Sequence, residues 1–221
     1  MEKILSQTYL ETVIFEANRK GKTFDLSGQT IEGFTLSDCQ MRIPLFLKKT
    51  KILGQIYFYN VSFEKELNFE NATLNNTFFI SECQLKENLI CKKISVKESI
   101  NLVGNIFKKD IDLEEAQIRG FLSLNRSKIM GKANFKNINI LSLEQKAGKI
   151  VGNFYFENAF LNEAKFKNLI IDGNLSLKDT TFLKPLSFSR LKIKGDLVFS
   201  NKDVLKAKLR ERKKLESEQR E

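Results

Sequence analysis

An eleven-residue repeat runs through most of the chain and restricts the folds open to it more than any other feature. One apolar position recurs every eleven residues, the pattern is interrupted once, and one later step is shortened to ten. Its members are Met41, Ile52, Phe63, Leu74, Leu85, Val96, Phe107, Ile118, Ile129, Ile150, Phe160, Ile171, Phe182 and Ile193. Two more apolar positions follow most members, at plus four and plus six. A short unit repeated this often predicts a solenoid in which each unit packs on its neighbours.

The spacing inside each unit favours strands over a helix. Positions 0, 4 and 6 share one face of an extended chain, whereas they spread around a helix at about 100° per residue. A small or apolar residue, such as Cys39 or Ala72, lies two positions before the repeated residue. Glycine or asparagine often lies two positions after it, as at Gly54 and Asn76. Glycine and asparagine tolerate a left-handed or tightly bent backbone. We therefore expect two very short strands joined by a corner at the glycine position.

Charged residues predict how many units make one coil. Five of them alternate in sign at a spacing of 22, namely Lys48, Glu70, Lys92, Glu114 and Lys136. Residues on adjacent coils stack about 4.8 Å apart, where opposite charges attract. Two units per coil are therefore favoured, which predicts about eight coils between residues 24 and 199. A three-unit coil would place Lys48 beside Ser81 and make the alternation a coincidence.

Near the N-terminus the spacing shortens to five, with apolar centres at Leu26, Ile31, Leu36 and Met41. Here, and in the segments NFENATL and CQMRI, the chain resembles the pentapeptide-repeat family, whose motif is a small residue, a polar residue, Leu or Phe, and two polar residues. The eleven-residue units look like two pentapeptides with one inserted residue. The resemblance covers most of residues 24–200. It implies an all-β fold, a right-handed, four-sided parallel β-helix.

The ends of a solenoid expose apolar core, so terminal segments are expected to cover it. Residues 1–20 are predicted to form an N-terminal capping helix, and residues 21–201 the β-helix, with a loop near 142–149 where the repeat degenerates. Residues 202–221 are predicted to form a charged helical tail. That tail is either a solvated helix or a short partner-binding helix.

Composition excludes several kinds of chemistry. The chain contains no histidine, so a Ser-His-Asp triad, a Cys-His pair and a histidine metal cage are all ruled out. Cys39 and Cys83 fall in the small inward position and Cys91 in a large one, which makes them core residues. The acidic residues form no visible cluster. We therefore expect no catalytic residues, no metal and no cofactor.

Charge and hydropathy bear on partners and location. No stretch is long and apolar enough for a membrane span, and no signal peptide is indicated, so we expect a soluble, cytoplasmic protein. The net charge is +10, of which residues 202–221 carry +3. Along the body the signs alternate, which gives phosphates no continuous track. Nucleic-acid binding therefore remains an alternative and is not favoured.

Two outward rows are candidate interaction surfaces. The first row is Leu141, Leu161 and Leu183, about one coil apart, and the second places Tyr57 above Phe79. A stacked apolar row can form an interaction patch. The alternative is that a loop or a neighbouring helix covers these side chains.

Three functional hypotheses follow. The first is a non-enzymatic β-helical scaffold that binds another protein and could pair with itself. The second is a regulator that binds nucleic acid or a DNA-processing enzyme, although the acidic rod through which some pentapeptide-repeat proteins imitate DNA has no counterpart here. The third is peripheral attachment to anionic membranes through the basic tail.

Overall fold

The structure is a computed structural model that describes residues 4–200. Within them the chain forms one helix, α1 (Gln7–Lys20), and thirty short strands. All strand pairs are parallel and join adjacent coils, so the fold is a parallel β-helix with an N-terminal helix, as predicted. The predicted tail, residues 202–221, lies outside the described residues.

Each coil passes through four strands in turn, one on each of four sides. Side 1 consists of β1 (Phe24–Asp25), β5 (Leu45–Phe46), β9 (Leu67–Asn68), β13 (Leu89–Ile90), β17 (Ile111–Asp112), β20 (Ala133–Asn134), β23 (Phe154–Tyr155), β26 (Leu175–Leu177) and β30 (Leu197–Phe199). Side 4 consists of β4 (Gln40–Met41), β8 (Ser62–Phe63), β12 (Gln84–Leu85), β16 (Ile106–Phe107), β19 (Lys128–Ile129), β22 (Lys149–Ile150), β25 (Ile170–Ile171) and β29 (Lys192–Ile193).

Sides 2 and 3 belong to one sheet because some strands run across both. Side 2 has β2 (Thr30–Ile31), β6 (Lys51–Ile52), β10 (Thr73–Leu74), β14 (Ser95–Val96) and β27 (Thr181–Phe182). Side 3 has β3 (Phe34–Ser37), β7 (Ile56–Tyr59), β11 (Phe78–Ser81), β15 (Ile100–Val103) and β28 (Ser187–Ser189). The strands common to both sides are β18 (Gln117–Ser123), β21 (Asn139–Lys146) and β24 (Phe160–Lys167).

The register confirms two units per coil. Leu67 pairs with Leu89, 22 residues later, and most other partners keep this spacing. The alternating charges accordingly meet across coils: Nζ of Lys92 lies 2.9 Å from an Oε atom of Glu114. The same ladder continues beyond the predicted residues, since Lys136 contacts Glu157 at 2.7 Å.

The inward columns fill the interior of the coil. The residues at plus four and plus six are buried as predicted, for example Ile56 and Phe58, except in the last coil, where Leu197 and Phe199 are partly buried. Aromatic rings stack through this core; the ring centroids of Phe58 and Phe63 are 5.3 Å apart. Burial of such side chains is worth about 1.5–3 kcal/mol each, so the core columns hold the coils together.

The prediction that Phe160 points inward is wrong. Phe160 is 42% exposed, and Leu161 is fully buried in its place, between its register partners Ile140 and Phe182. The sequence pattern predicts one ten-residue step, whereas the structure has two, one ending at Ile150 and one beginning at Leu161. A shift of one residue turns a strand's side chains to the other face.

The loop predicted near residues 142–149 is also wrong for its first half, because β21 runs continuously to Lys146. The pairing of β18 with β21 changes between Ile118 and Phe121 from a spacing of 22 residues to 21. One corner residue is therefore missing in the coil of β21. In this coil, as in that of β18, the chain passes from side 2 to side 3 as one extended strand.

Left-handed corners occur once in each unit, three positions before the repeated apolar residue. The residues with positive φ there are Gly28, Asp38, Lys49, Asn60, Asn71, Glu82, Lys93, Gly104, Glu115, Arg126, Asn137, Ala147, Asn158, Asn168, Asp179 and Arg190. The predicted corner glycines, such as Gly54 and Gly152, do not have positive φ. They are required for space, because a Cβ on Gly152 would collide with the carbonyl oxygen of Gly131 on the preceding coil.

Helix α1 covers the N-terminal end of the core. Leu10 and Ile14 are fully buried against the first coil, and the helix ends where Gly21 adopts a left-handed conformation. Before the helix, Leu5 forms a parallel bridge with Ile31 and acts as one rung of an additional coil.

Polar side chains of α1 replace the backbone groups that a preceding coil would supply. A carboxylate oxygen of Glu11 accepts a hydrogen bond from the backbone N–H of Thr35 at 2.9 Å. The amide of Asn18 accepts from the N–H of Arg42 at 2.7 Å and donates to the carbonyl of Gln40 at 2.8 Å. The first strands of sides 2, 3 and 4 therefore have hydrogen-bond partners on the edge that faces the helix, which protects these strand edges.

Candidate functional site

The predicted leucine row does not exist as a continuous surface. Leu141 and Leu183 are 53% and 63% exposed, but Leu161 is buried in the core. The outward position between the two exposed leucines belongs to Asn162, because Ile140 pairs with Leu161 and Leu161 with Phe182. The prediction of Leu161 as a surface residue is wrong for the same reason as the placement of Phe160.

The structure brings Tyr57 and Phe79 together on side 3. They are register partners on β7 and β11, and their ring centroids are 5.8 Å apart. Tyr59, which the sequence analysis did not single out, stacks on Tyr57 at 6.5 Å and is 41% exposed. Three aromatic rings therefore cluster on the outer surface of two adjacent coils.

This cluster belongs to a larger surface without charge. In the first five coils, the outward positions of side 3 are Thr35, Ser37, Tyr57, Tyr59, Phe79, Ser81, Asn101, Val103, Ser123 and Asn125. Nine of them are at least partly exposed, and Ser123 is only 4% exposed. We call this surface the uncharged face. Charged residues make up 29% of the chain, yet none occupies these ten positions.

The strands beneath the uncharged face are the most regular in the coil. On this side β3, β7, β11 and β15 have four residues each, against two for most strands on sides 1, 2 and 4. Their inward residues are fully or almost fully buried, for example Phe58, Phe78 and Ile80. A packed core and continuous parallel pairing hold the outward side chains at fixed spacing, which makes the face flat and preorganised.

The uncharged face ends where ion pairs begin. On the next coils the equivalent positions are Glu144 and Lys165, and both carry compensated charge. An oxygen of Glu144 is 2.5 Å from Nζ of Lys146, and Nζ of Lys165 is 2.9 Å from Glu163. These bonds lower the pKa of both Glu144 and Glu163. The aromatic N-terminal half of side 3 is therefore distinct from its charged C-terminal half.

The cysteines are buried or partly buried side chains, as expected. Cys83 and Cys91 are buried and Cys39 is partly buried, and all three are free thiols. Burial raises the pKa of the Cys83 thiol to about 11 and raises that of Cys91 further. Thiols that stay protonated are poor nucleophiles.

A shallow polar groove of about 490 Å³ lies on side 1. Its carboxylates bond to their own neighbours: an oxygen of Asp112 accepts from the N–H of Glu114 at 2.9 Å and from the side chain of Asn134 at 3.1 Å. Burial raises the pKa of Asp112, while Lys92 pairs with Glu114 and Lys136 with Glu157. The contacts of Asp112 with Asn134, Lys92 with Glu114 and Lys136 with Glu157 join adjacent coils and account for the regular spacing of charges along this side.

Neither a metal cluster nor a spanning helix was found in the described part. Across residues 4–200, no three His, Cys, Asp or Glu side chains are grouped so that they could hold a metal ion. The same residues include no helix long and apolar enough to cross a bilayer. No protein-family model matches the chain, and no curated protein or solved structure matches it either.

Proposed function

We propose that this chain is a variant pentapeptide-repeat protein that acts as a non-enzymatic scaffold and binds another protein through the uncharged face. The observation that carries the proposal is the run of ten uncharged outward positions on five consecutive coils. The face consists mainly of Tyr, Ser, Thr and Asn. Many protein-binding surfaces have a similar composition with few charges, and Tyr supplies contact area there at low entropic cost.

The chemistry of the face defines the partner. A partner charge pressed against this surface would lose its hydration without gaining a counter-charge, which is unfavourable. The partner surface is therefore flat and uncharged. Four coil spacings give the face a length of about 19 Å, so it supplies only part of the roughly 800 Å² that each partner buries in a standard interface. The contact extends to the adjoining corner, where Phe121 is 43% exposed.

The test is affinity capture with matched variants of the full chain. Tyr57→Asp/Phe79→Asp places two charges on the uncharged face, and Leu141→Asp/Phe160→Asp places two charges on exposed apolar positions outside it. We expect a specific protein from the native, nuclease-treated lysate to be retained by the wild type and the second variant, and lost by the first.

Three results would contradict the proposal. The same proteins could be recovered with both variants, or binding could disappear after nuclease treatment. Alternatively, sedimentation could show a self-association that only Tyr57→Asp/Phe79→Asp abolishes, which would make the partner a second copy of this chain. Circular dichroism of both variants shows whether each keeps its strand content.

A further inference from the structure

The net positive charge is concentrated in the C-terminal part of the chain. Residues 1–120 contain 16 Lys and Arg and 16 Asp and Glu, whereas residues 121–200 contain 13 and 6. The charges of the first part therefore balance, whereas the second part carries a net charge of +7. Side 4 is where this excess forms a surface.

The outward residues of side 4 from the fourth coil onwards combine lysines with aliphatic side chains. They are Ile106, Lys108, Lys128, Met130, Lys149, Val151, Ile170, Asp172, Lys192 and Lys194. We call them the lysine face. Asp172, its only acidic member, lies 2.8 Å from Lys149 and 2.7 Å from Lys194. Lys108, Lys128 and Lys192 form no ion pair within residues 4–200.

Three of the four aliphatic members of the lysine face are exposed, and the fourth, Val151, is partly exposed. Ile106, Met130 and Ile170 are 39%, 37% and 37% exposed, although each is next to a buried inward residue such as Phe107 or Ile171. They lie between lysines in the register: Ile106 pairs with Lys128, and Ile170 with both Lys149 and Lys192. Aliphatic tips surrounded by ammonium groups match an interface where anionic headgroups cover an apolar layer.

We propose that the lysine face binds the surface of an anionic lipid bilayer. All five of its cations are lysines, whereas recognition of nucleic acid favours the planar, bidentate guanidinium of Arg. No aromatic ring lies among its ten members, so it offers no platform on which bases could stack. The site is separate from residues 202–221, the segment that the sequence analysis considered for membrane attachment.

The full chain should sediment with vesicles of phosphatidylcholine and phosphatidylserine in a 3:1 ratio at 0.15 M salt, and at least tenfold less with phosphatidylcholine alone. Each lysine near an anionic surface contributes about fivefold to binding. Lys128→Glu/Lys192→Glu should therefore weaken binding by at least about 25-fold. Ile106→Ser/Ile170→Ser should weaken it with no change of charge, because the apolar contact is lost.

The charge-matched control is Lys51→Glu/Lys97→Glu, which changes the same net charge on side 2, across the coil from side 4. It should alter binding by less than about threefold. The proposal is overturned if the wild type shows no preference for anionic vesicles, or if this control weakens binding as much as the lysine-face variant. It is also overturned if only deletion of residues 202–221 abolishes binding.

A nucleic-acid ligand is tested in the same assay. A 20-base-pair DNA duplex should not displace the protein from anionic vesicles at equal phosphate concentration; displacement would overturn the assignment to lipid. The outcome is independent of the proposed scaffold function, because none of these substitutions touches the uncharged face.

Discussion

Polar side chains inside the coil act as replacements for backbone hydrogen bonds at single positions. Nδ2 of Asn105 donates to the carbonyl of Ile80 at 2.7 Å, and its Oδ1 accepts from the N–H of Cys83 at 2.8 Å. Ser127, one coil further on, donates to the carbonyl of Leu102 at 2.6 Å. The small inward column therefore accepts Asn and Ser as well as Cys and Val, since each polar group has a partner on the adjacent coil.

Replacing Asn105 should show how much this bonding contributes. Asn105→Ala removes two hydrogen bonds and leaves the buried N–H of Cys83 without its partner, so the free energy of unfolding should fall by about 2–4 kcal/mol. Urea denaturation measures this value. Asn139→Ala, at an exposed position of β21, should change it by less than about 0.5 kcal/mol. Equal effects of the two substitutions would mean that Asn105 is not bonded in this way.

Single surface residues also show what can and cannot be predicted from the sequence. Tyr57 and Phe79 could be paired from the sequence, because they lie in an unbroken run of eleven-residue units. The inward position could not be assigned to Leu161 from the sequence. Phe160 and Leu161 are both apolar, so the sequence does not show at which point a unit lacks a residue. Tyr59 does not stand out in the sequence, because its register partners Ser37 and Ser81 are polar and form no apolar row with it.

At the scale of strands and corners, close packing of coils explains the glycine column. Gly131, Gly152 and Gly173 stack on consecutive coils, and a Cβ on either of the last two would collide with the carbonyl oxygen of the glycine before it. The left-handed corners lie elsewhere and are occupied mainly by Asn, Asp, Lys and Glu. The sequence predicts that the glycine column forms the left-handed corners. In the structure these glycines are needed because there is no space for a Cβ, and other residues form the left-handed corners.

Gly152→Ala should lower the free energy of unfolding by about 1–3 kcal/mol, the cost of forcing an extra methyl group into a packed site. Gly28→Ala provides the comparison, because a Cβ there meets no atom within 4 Å but the residue has a φ of 72°. Its cost should come from the backbone alone and be about 1 kcal/mol. Thermal unfolding of both variants distinguishes the two causes; a Gly152→Ala protein as stable as the wild type would refute the steric explanation.

The strand β21 shows why element boundaries were harder to predict than the repeat. Its sequence departs from the eleven-residue pattern, which is typical of a loop. In the structure the departure is a deleted corner residue, and the parallel partners β18 and β24 keep the chain extended. Pairing with neighbouring coils overrides the local signal.

At the scale of the whole molecule, the two proposed surfaces occupy different parts of one rod. The uncharged face lies on side 3 of the first five coils, and the lysine face on side 4 of the fourth to eighth. The sequence predicted the parallel β-helix and the coil of two units. It revealed one pair of the uncharged face, Tyr57 and Phe79, but not the lysine face, most of whose residues lie beyond the point where the eleven-residue spacing is interrupted.

The coil of two units is thus the claim on which both surfaces depend, and cross-linking tests it directly. Gln117 and Asn139 are outward register partners, at a Cα separation of about 4.8 Å that a disulfide can span. Lys149, one unit beyond Asn139, lies on side 4. Under mild oxidation Gln117→Cys/Asn139→Cys should form an intramolecular disulfide, detected by mass spectrometry, and Gln117→Cys/Lys149→Cys should not. A disulfide in the second protein and none in the first would contradict the register and, with it, both faces.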